Sequence, residues 1–392
     1  MNTRPRKALA ALFFLYGFGI ISWIPRYPEV KHNLHVSNGQ FGTMISFGAL
    51  GSLISLLTVG HLVHRYGTRK AMTVSSTILF LSIAYIVHVT NPWEFILCIV
   101  LIGAGTSSFH IAVNGQGFYE QEGTEDNLIP RLHGLWSVGA LTTAIISGFL
   151  TGRVSLTTHV DVLSAIAYLL ILYFLKVIGA QSMPGVVNSQ TQSSIRNMFS
   201  SFAIDWNITL GITCATMLEF SIADWGAIFS NEELHMSAGV ATIPYILFAV
   251  AMIFGRLTVH RITKYIGLGD LVKKCVLIGG IAFMVLMSVG KFLSPHYPLI
   301  GFAVFLLGVF IGGLGCSFLA PTLLDTANRR SKFPGTVVLG QIGAVNTVLI
   351  FFTKMVIAWT AQLTSISVAL IIPSLGLMAV AFTTRAIKEV SS

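Results

Sequence analysis

The feature that leaves this chain fewest options is a succession of long apolar runs, separated by short polar and basic segments. About twenty apolar residues in a helix match the thickness of a bilayer's hydrocarbon core. A soluble chain of 392 residues would form two or three domains, and none could hide this much apolar surface. The sequence is 54% hydrophobic and only 10% charged, with a mean hydropathy of +0.78. The expected fold is all-α and membrane-embedded.

Twelve runs can be placed, at roughly 8–25, 40–61, 71–89, 93–114, 132–152, 159–179, 205–229, 239–259, 271–291, 298–324, 335–358 and 363–384. The first follows Arg4, Arg6 and Lys7 and superficially resembles a signal peptide. Trp23, Pro25, Arg26 and Tyr27 stand where small residues would mark cleavage, so it is expected to be a retained helix.

The net charge of +9 raises the question of nucleic acid, but the basic residues form no groove-like patch, and no nucleic-acid partner is expected. Of the 24 Lys and Arg, Arg26, Lys31, Arg153 and Lys291 fall in outer loops if the N-terminus is inside. Lys354 lies within a span, and the other 19 sit on the inner side. That bias places both termini in the cytoplasm. The four cysteines (98, 214, 275 and 316) lie in or beside apolar runs without metal-ligand spacing, so they are expected to be packing thiols, with no metal and no cofactor.

A polar stretch rich in Ser, Gln, Asn and Thr divides the runs six and six. The expected organisation is a bundle over 1–180, a cytoplasmic linker over 181–204 and a second bundle over 205–392. The halves also resemble each other. Leu34-His35-Val36-Ser37-Asn38-Gly39 returns 200 residues later as Leu234-His235-Met236-Ser237-Ala238-Gly239. Gly60-His61-Leu62-Val63-His64-Arg65 returns as Gly255-Arg256-Leu257 continuing to His260-Arg261. The nearly equal offsets point to an internal duplication.

Two six-helix halves of this kind resemble the major facilitator superfamily. The stretch Gly60 to Lys70, with Arg65, Gly67 and Arg69, is similar to that superfamily's signature loop between the second and third spans. Trp23-Ile-Pro-Arg26-Tyr-Pro28, His133-Gly-Leu-Trp136-Ser-Val-Gly139 and Ala223-Asp224-Trp225 resemble a bacterial branch that includes fucose permease and MosC-like inner-membrane proteins. The resemblance implies a bacterial inner-membrane protein with alternating access around a central cavity lined by the first, fourth, seventh and tenth spans. The sequence departs from the pattern where His64 replaces the signature loop's usual Asp, with His260 at the matching C-terminal position. It also departs at His110, where the branch often has an acid. A gate built on His64, Arg65, Arg69, His260 and Arg261 would use histidine as hydrogen-bond partner or as a protonated charge.

Ionisable groups inside spans are costly, by roughly 2.5–3.5 kcal/mol on insertion scales, so each needs a reason. Glu219, near the middle of the seventh run, is the leading candidate for a proton-binding carboxylate. The alternative is a structural carboxyl, neutral or paired with a group such as Lys354. Asp224 is five residues on, on another face of the helix. It is a candidate for ligand contact or an outer gate, against a solvated helix end. Trp225 can stack on a sugar-like ligand or anchor the membrane interface.

His110 and Asn114 are four apart and share a helix face. His110 is the second proton-coupling candidate, against a neutral histidine bonded to a neighbouring helix. Arg131 and His133 open the fifth run and are gate candidates. Asn346, Gln341 and Tyr16 are cavity candidates, against helix glue and packing. Asp325, beside Arg329 and Arg330, fits a cytoplasmic gate or helix-end cluster. Glu120, Glu122, Glu125 and Asp126 are expected to be solvated loop charges.

No GxSxG, HExxH or Walker loop appears, so neither an enzyme nor an ATP-driven pump is expected. The reading is a secondary active transporter, acting as a monomer in the lipid bilayer on a small polar solute, with sugar-like uptake the branch-level expectation and a proton as coupling ion. Efflux of an amphipathic compound and a non-transporting sensor with the same fold are the alternatives.

Overall fold

The computed structural model describes residues 4–122, 128–185, 204–332 and 335–391. Every element among them is helical. The first half begins with α1 (Arg4–Ile21), which gives way at Trp23 and Pro25 to a 3-10 turn and then to α2 (Tyr27–Leu34). The second run is α3 (Asn38–Ser46) and α4 (Gly48–Tyr66). Then come α5 (Thr68–Ile86), α6 (Pro92–Gln121), α7 (Leu128–Leu150) and α8 (Leu156–Ile178). The second half holds α9 (Trp206–Glu232), α10 (Ile243–Ile262), α11 (Leu268–Leu293), α12 (Pro298–Cys316) and α13 (Leu319–Arg330). It closes with α14 (Gly335–Leu363), α15 (Ile366–Ala369), α16 (Ile371–Ala379) and α17 (Thr384–Ser391).

Side-chain caps set several starts. Asn91 accepts from the Trp93 amide at 2.9 Å with Pro92 following, and Ser155 accepts from the Thr158 amide at 3.1 Å. Asp205 and Ser365 do the same for Ile208 and Val368, at 3.3 Å and 3.2 Å. Each satisfies an amide that the first helical turn leaves without a partner. The tenth run breaks between Cys316 and Leu319, just before Pro321, and the twelfth at Leu370, before Pro373. Proline cannot donate to the preceding turn, so a helix yields there.

Among the described residues, eleven helices or helix runs are long and apolar enough to cross a membrane. The third expected span is the exception, and its chemistry explains why. α5 opens on Arg69 and Lys70 and carries Thr73, Ser75, Ser76, Thr77 and Ser82, which lower its hydropathy. Those hydroxyls turn inward on the helix itself: Thr73, Ser75 and Thr77 donate to carbonyls four residues back at 2.7–2.9 Å. Val74, Ile78, Leu81 and Tyr85 remain outside as an apolar stripe at helical spacing.

The chain divides into two compact units. The first holds Met1–His35 and Phe47–Ile195; the second holds Val36–Ser46 and Arg196–Ser392. α3 therefore clusters with the second unit. Its Gly39 amide donates to Gln362 Oε1 at 3.3 Å, and Gly42 leaves no room for a Cβ against Ala358 and Trp225. Within the first unit, α1 and α7 approach backbone to backbone. A Cβ on Gly17 would collide with the Trp136 carbonyl, and one on Gly139 with that of Phe14.

Both units fasten the connection after their first helix to the one before their last. In the first unit the fastener is Arg26, which the sequence places among outer-loop charges but which is 1% exposed. Its guanidinium donates twice to Glu29, at 2.8 and 2.6 Å, and to the carbonyls of Val154 and Ser155, at 3.0 and 3.2 Å. It also stands 3.2 Å from His159 Nδ1. The planar fork supplies the donors that make such burial affordable. In the second unit the fastener is Glu233. Its carboxylate accepts from the Ile366 and Ser367 amides at 2.6 and 3.3 Å and pairs with Lys291.

The internal repeat is also visible in the backbone. His35 and His235 hold φ of 51° and 55°, the only positive values among described non-glycine residues. Two residues beyond each, a serine carbonyl accepts from the amide four residues further on: Ser37 from Phe41 and Ser237 from Ala241, both at 2.9 Å.

Candidate functional site

Each unit gathers polar side chains inside its own helices. In the first, the close α1–α7 approach brings Tyr16 and His133 to the face of α6 that carries His110 and Asn114. Tyr16 is 3% exposed; it donates its hydroxyl to the Thr106 carbonyl at 2.8 Å and stacks on Phe109. The His110 ring lies 6.2 Å from the Tyr16 ring and 5.9 Å from that of His133. Asn114 donates Nδ2 to the His110 carbonyl at 2.8 Å, which turns Oδ1 toward His133 Nε2 at 3.0 Å. An amide oxygen only accepts, so His133 Nε2 carries the proton of that bond.

The His110 ring is exposed and makes no hydrogen bond among the described residues. Two buried groups nearby also lack partners, Trp136 Nε1 and Thr106 Oγ1. Leaving a buried donor unmet costs roughly 1–3 kcal/mol, so this cluster is polar and unsaturated. Arg131, two residues before His133 and so on another face of the helix, is exposed and stands apart from the cluster.

In the second unit, Glu219 is half-buried on α9 and makes no hydrogen bond or ion pair among the described residues. Its electrostatic neighbours are Arg256 and Tyr245 of α10 and Cys316 at the end of α12. Arg256 is itself held by the Ser317 carbonyl, to which Nε donates at 2.9 Å. Lys354 does not pair with Glu219. Its ammonium lies 2.8 Å from Asp224 and 5.2 Å from the Phe220 ring centroid. The pairing of Asp224 also removes it from any solvated helix end: the residue is 6% exposed. Trp225 is 2% exposed and packs on Gly42, so its surface is taken up by helix packing rather than by a membrane interface. Asn346 accepts from Thr213 at 2.8 Å, and Gln341 is buried.

The remaining gate candidates lie at helix ends. His64, Arg65 and Arg69 are exposed around the α4–α5 junction, with Arg65 5.2 Å over the Tyr66 ring and Gly67 at φ 83°. His260 and Arg261 end α10 and are exposed. Asp325 pairs with Arg329 at 2.9 Å along one helix face, while Arg330 reaches Asp205 at 3.1 Å. Glu120 is not a solvated loop charge: it ends α6 half-buried, 3.9 Å from Arg6. Glu125 and Asp126 lie outside the described residues.

Sequence reasoning missed Arg256 as the cation beside Glu219, although its place in the repeat had drawn notice. It also missed Gln116, fully buried, which accepts from Thr68 Oγ1 at 2.6 Å and from the Met183 amide at 2.9 Å. Its position between Gly115 and Gly117 near a span end was the available signal.

The model of the Major Facilitator Superfamily matches residues 9–117. An MFS-type transporter of Yersinia pestis is 24% identical over 96% of this chain and 94% of its own length. Membrane protein MosC of Rhizobium meliloti is 25% identical over 86% of this chain and 80% of its own. Among solved structures, the nucleoside transporter NupG superposes with a TM-score of 0.73 at 15% identity, covering 99% of this chain and 100% of that one. A D-xylose-proton symporter gives 0.69 at 15%, covering 97% and 96%. The fold is the major facilitator fold.

Proposed function

We propose that this chain, a major facilitator superfamily transporter, is a secondary carrier that moves a small polar solute by alternating access and couples it to protons. The solute class is sugar-like, either a sugar or a sugar derivative. The printed names of the two structural neighbours, a nucleoside transporter and a D-xylose-proton symporter, support that class. So does the polar cluster of the first unit, where the exposed His110 ring offers a hydrogen bond that the protein itself does not use. Oxygen-rich solutes meet such groups without adding charge.

The observation that carries the coupling is Glu219. It is a carboxyl in mid-span with no bonded partner among the described residues, largely buried and beside Arg256. A group so placed can take a proton from water and release it without breaking a structural bond. His110 is the second proton site. The basic bias of one set of connections supports an inner-membrane orientation with both termini cytoplasmic. The two six-helix bundles act within one monomer.

The experiment is uptake into proteoliposomes under an imposed pH gradient, with candidate sugars and nucleosides as solutes. The gradient is expected to drive accumulation in the wild type. Glu219→Gln is expected to abolish accumulation while keeping solute exchange down a solute gradient. Full gradient-driven accumulation by Glu219→Gln would overturn the assignment.

A further inference from the structure

At the junction of α4 and α5 the first unit carries two cavities that share a wall. One is an apolar groove of about 570 Å3 between α4 and α5 with α6 as its floor. Ile54, Leu62 and Val74 on its sides are 47–59% exposed. The other, of about 520 Å3, is basic, bordered by Arg69, Lys70, Thr73 and the segment Ser182–Pro184. Tyr66, Lys70 and Val74 border both cavities.

The basic cavity is built, not incidental. Buried Gln116 ties Thr68 to Met183, and the Thr68 amide donates to the Met183 carbonyl at 3.2 Å, which fixes the wall opposite Arg69 and Lys70. Neither cation makes an ion pair among the described residues. The stretch His64 to Lys70 contains no acid. Glu120, the carboxylate bonded to Gln116, is shared with Arg6.

A molecule filling both cavities has an apolar tail in the groove and an anion beside Lys70 and Arg69, at the junction of α4 and α5. We infer that this is a binding site for an anionic phospholipid of the surrounding bilayer, with one acyl chain between α4 and α5 and the phosphate on Lys70 and Arg69. Basic groups at span ends attract anionic headgroups, and an uncharged or zwitterionic headgroup gains less from two unpaired cations. The apolar groove selects for the tail and the charge selects for the head. Tyr66 and Lys70 sit where the two meet. An occupant here wedges α4 against α5 and holds the signature-loop turn at Gly67.

The test is native mass spectrometry of the purified full-length protein in neutral detergent. The probes are phosphatidylglycerol and phosphatidylcholine with identical acyl chains, and water-soluble glycerol 3-phosphate. Phosphatidylglycerol is expected to bind about tenfold more tightly than phosphatidylcholine. Arg69→Gln with Lys70→Gln should erase that preference, Lys70→Arg should keep it, and Val74→Trp, which fills the groove, should weaken both lipids. Unfolding temperatures without added lipid check that these exposed-site variants are folded. Equal binding of the two lipids overturns the proposal. So does an unchanged preference in the double variant, unaltered binding in Val74→Trp, or glycerol 3-phosphate binding as tightly as the lipid.

Discussion

Asp224 and Lys354 hold each other at 2.8 Å between α9 and α14, the carboxylate 8% exposed and the ammonium 20%. An ion pair so little hydrated resists the loss of one partner far more than the loss of both, because the survivor is left as a lone charge. Asp224→Asn and Lys354→Met are each expected to destabilise the protein by about 2 kcal/mol, less than a fully buried pair because Lys354 keeps some water. The double variant should recover at least half of the summed loss. Thermal unfolding of all four proteins in one detergent measures the coupling; strictly additive losses would show that the pair is not an energetic unit.

Asn114 has both ends of its amide committed, to the His110 carbonyl and to His133. Asn114→Leu keeps the volume and removes both bonds. Solute KM in proteoliposome uptake is expected to rise about tenfold, equivalent to roughly 1.4 kcal/mol, as the two imidazoles lose their relative orientation. An unchanged KM would place the cluster outside the solute path.

The buried guanidinium of Arg26 serves four protein acceptors at once. Arg26→Leu should cost roughly 3–5 kcal/mol, the range for breaking a buried charge network. Arg26→Lys should recover little of it, since one ammonium cannot reproduce the fork. Expression level and unfolding temperature read both.

Glycines in the first unit differ sharply in what surrounds them. Gly17→Ala and Gly139→Ala push a methyl into a facing backbone and should each cost about 1–3 kcal/mol. Gly60→Ala and Gly134→Ala, with nothing within 4 Å of the added carbon, should be neutral or stabilising by up to about 1 kcal/mol. Unfolding midpoints across the four variants test whether the α1–α7 approach depends on its glycines.

The existence of the spans was legible because each apolar run carries its own length, whatever it packs against. The repeat was legible too, down to two histidines that share a left-handed backbone. Partner choice was not. Whether Lys354 meets Glu219 or Asp224 depends on how α14 is rotated and shifted along α9, and no local pattern encodes that. Arg26 looked like a loop charge because its acceptors are carbonyls more than 120 residues away, and backbone groups leave no mark in sequence. Likewise α5 falls short on hydropathy because an averaged scale counts Arg69, Lys70 and every hydroxyl in full, although Thr73 and Thr77 are satisfied on their own helix.

The fasteners at Arg26 and Glu233 bear on how such a chain can be recombined. One half clasps carbonyls with a cation and the other clasps amides with an anion, so the two connections carry opposite polarity. A chimera that moves the connection after the first helix from one half to the other brings like poles together. It folds only if the connection before the last helix travels with it. The two stretches are inherited as a pair, although nearly the whole of a six-helix bundle separates them along the chain.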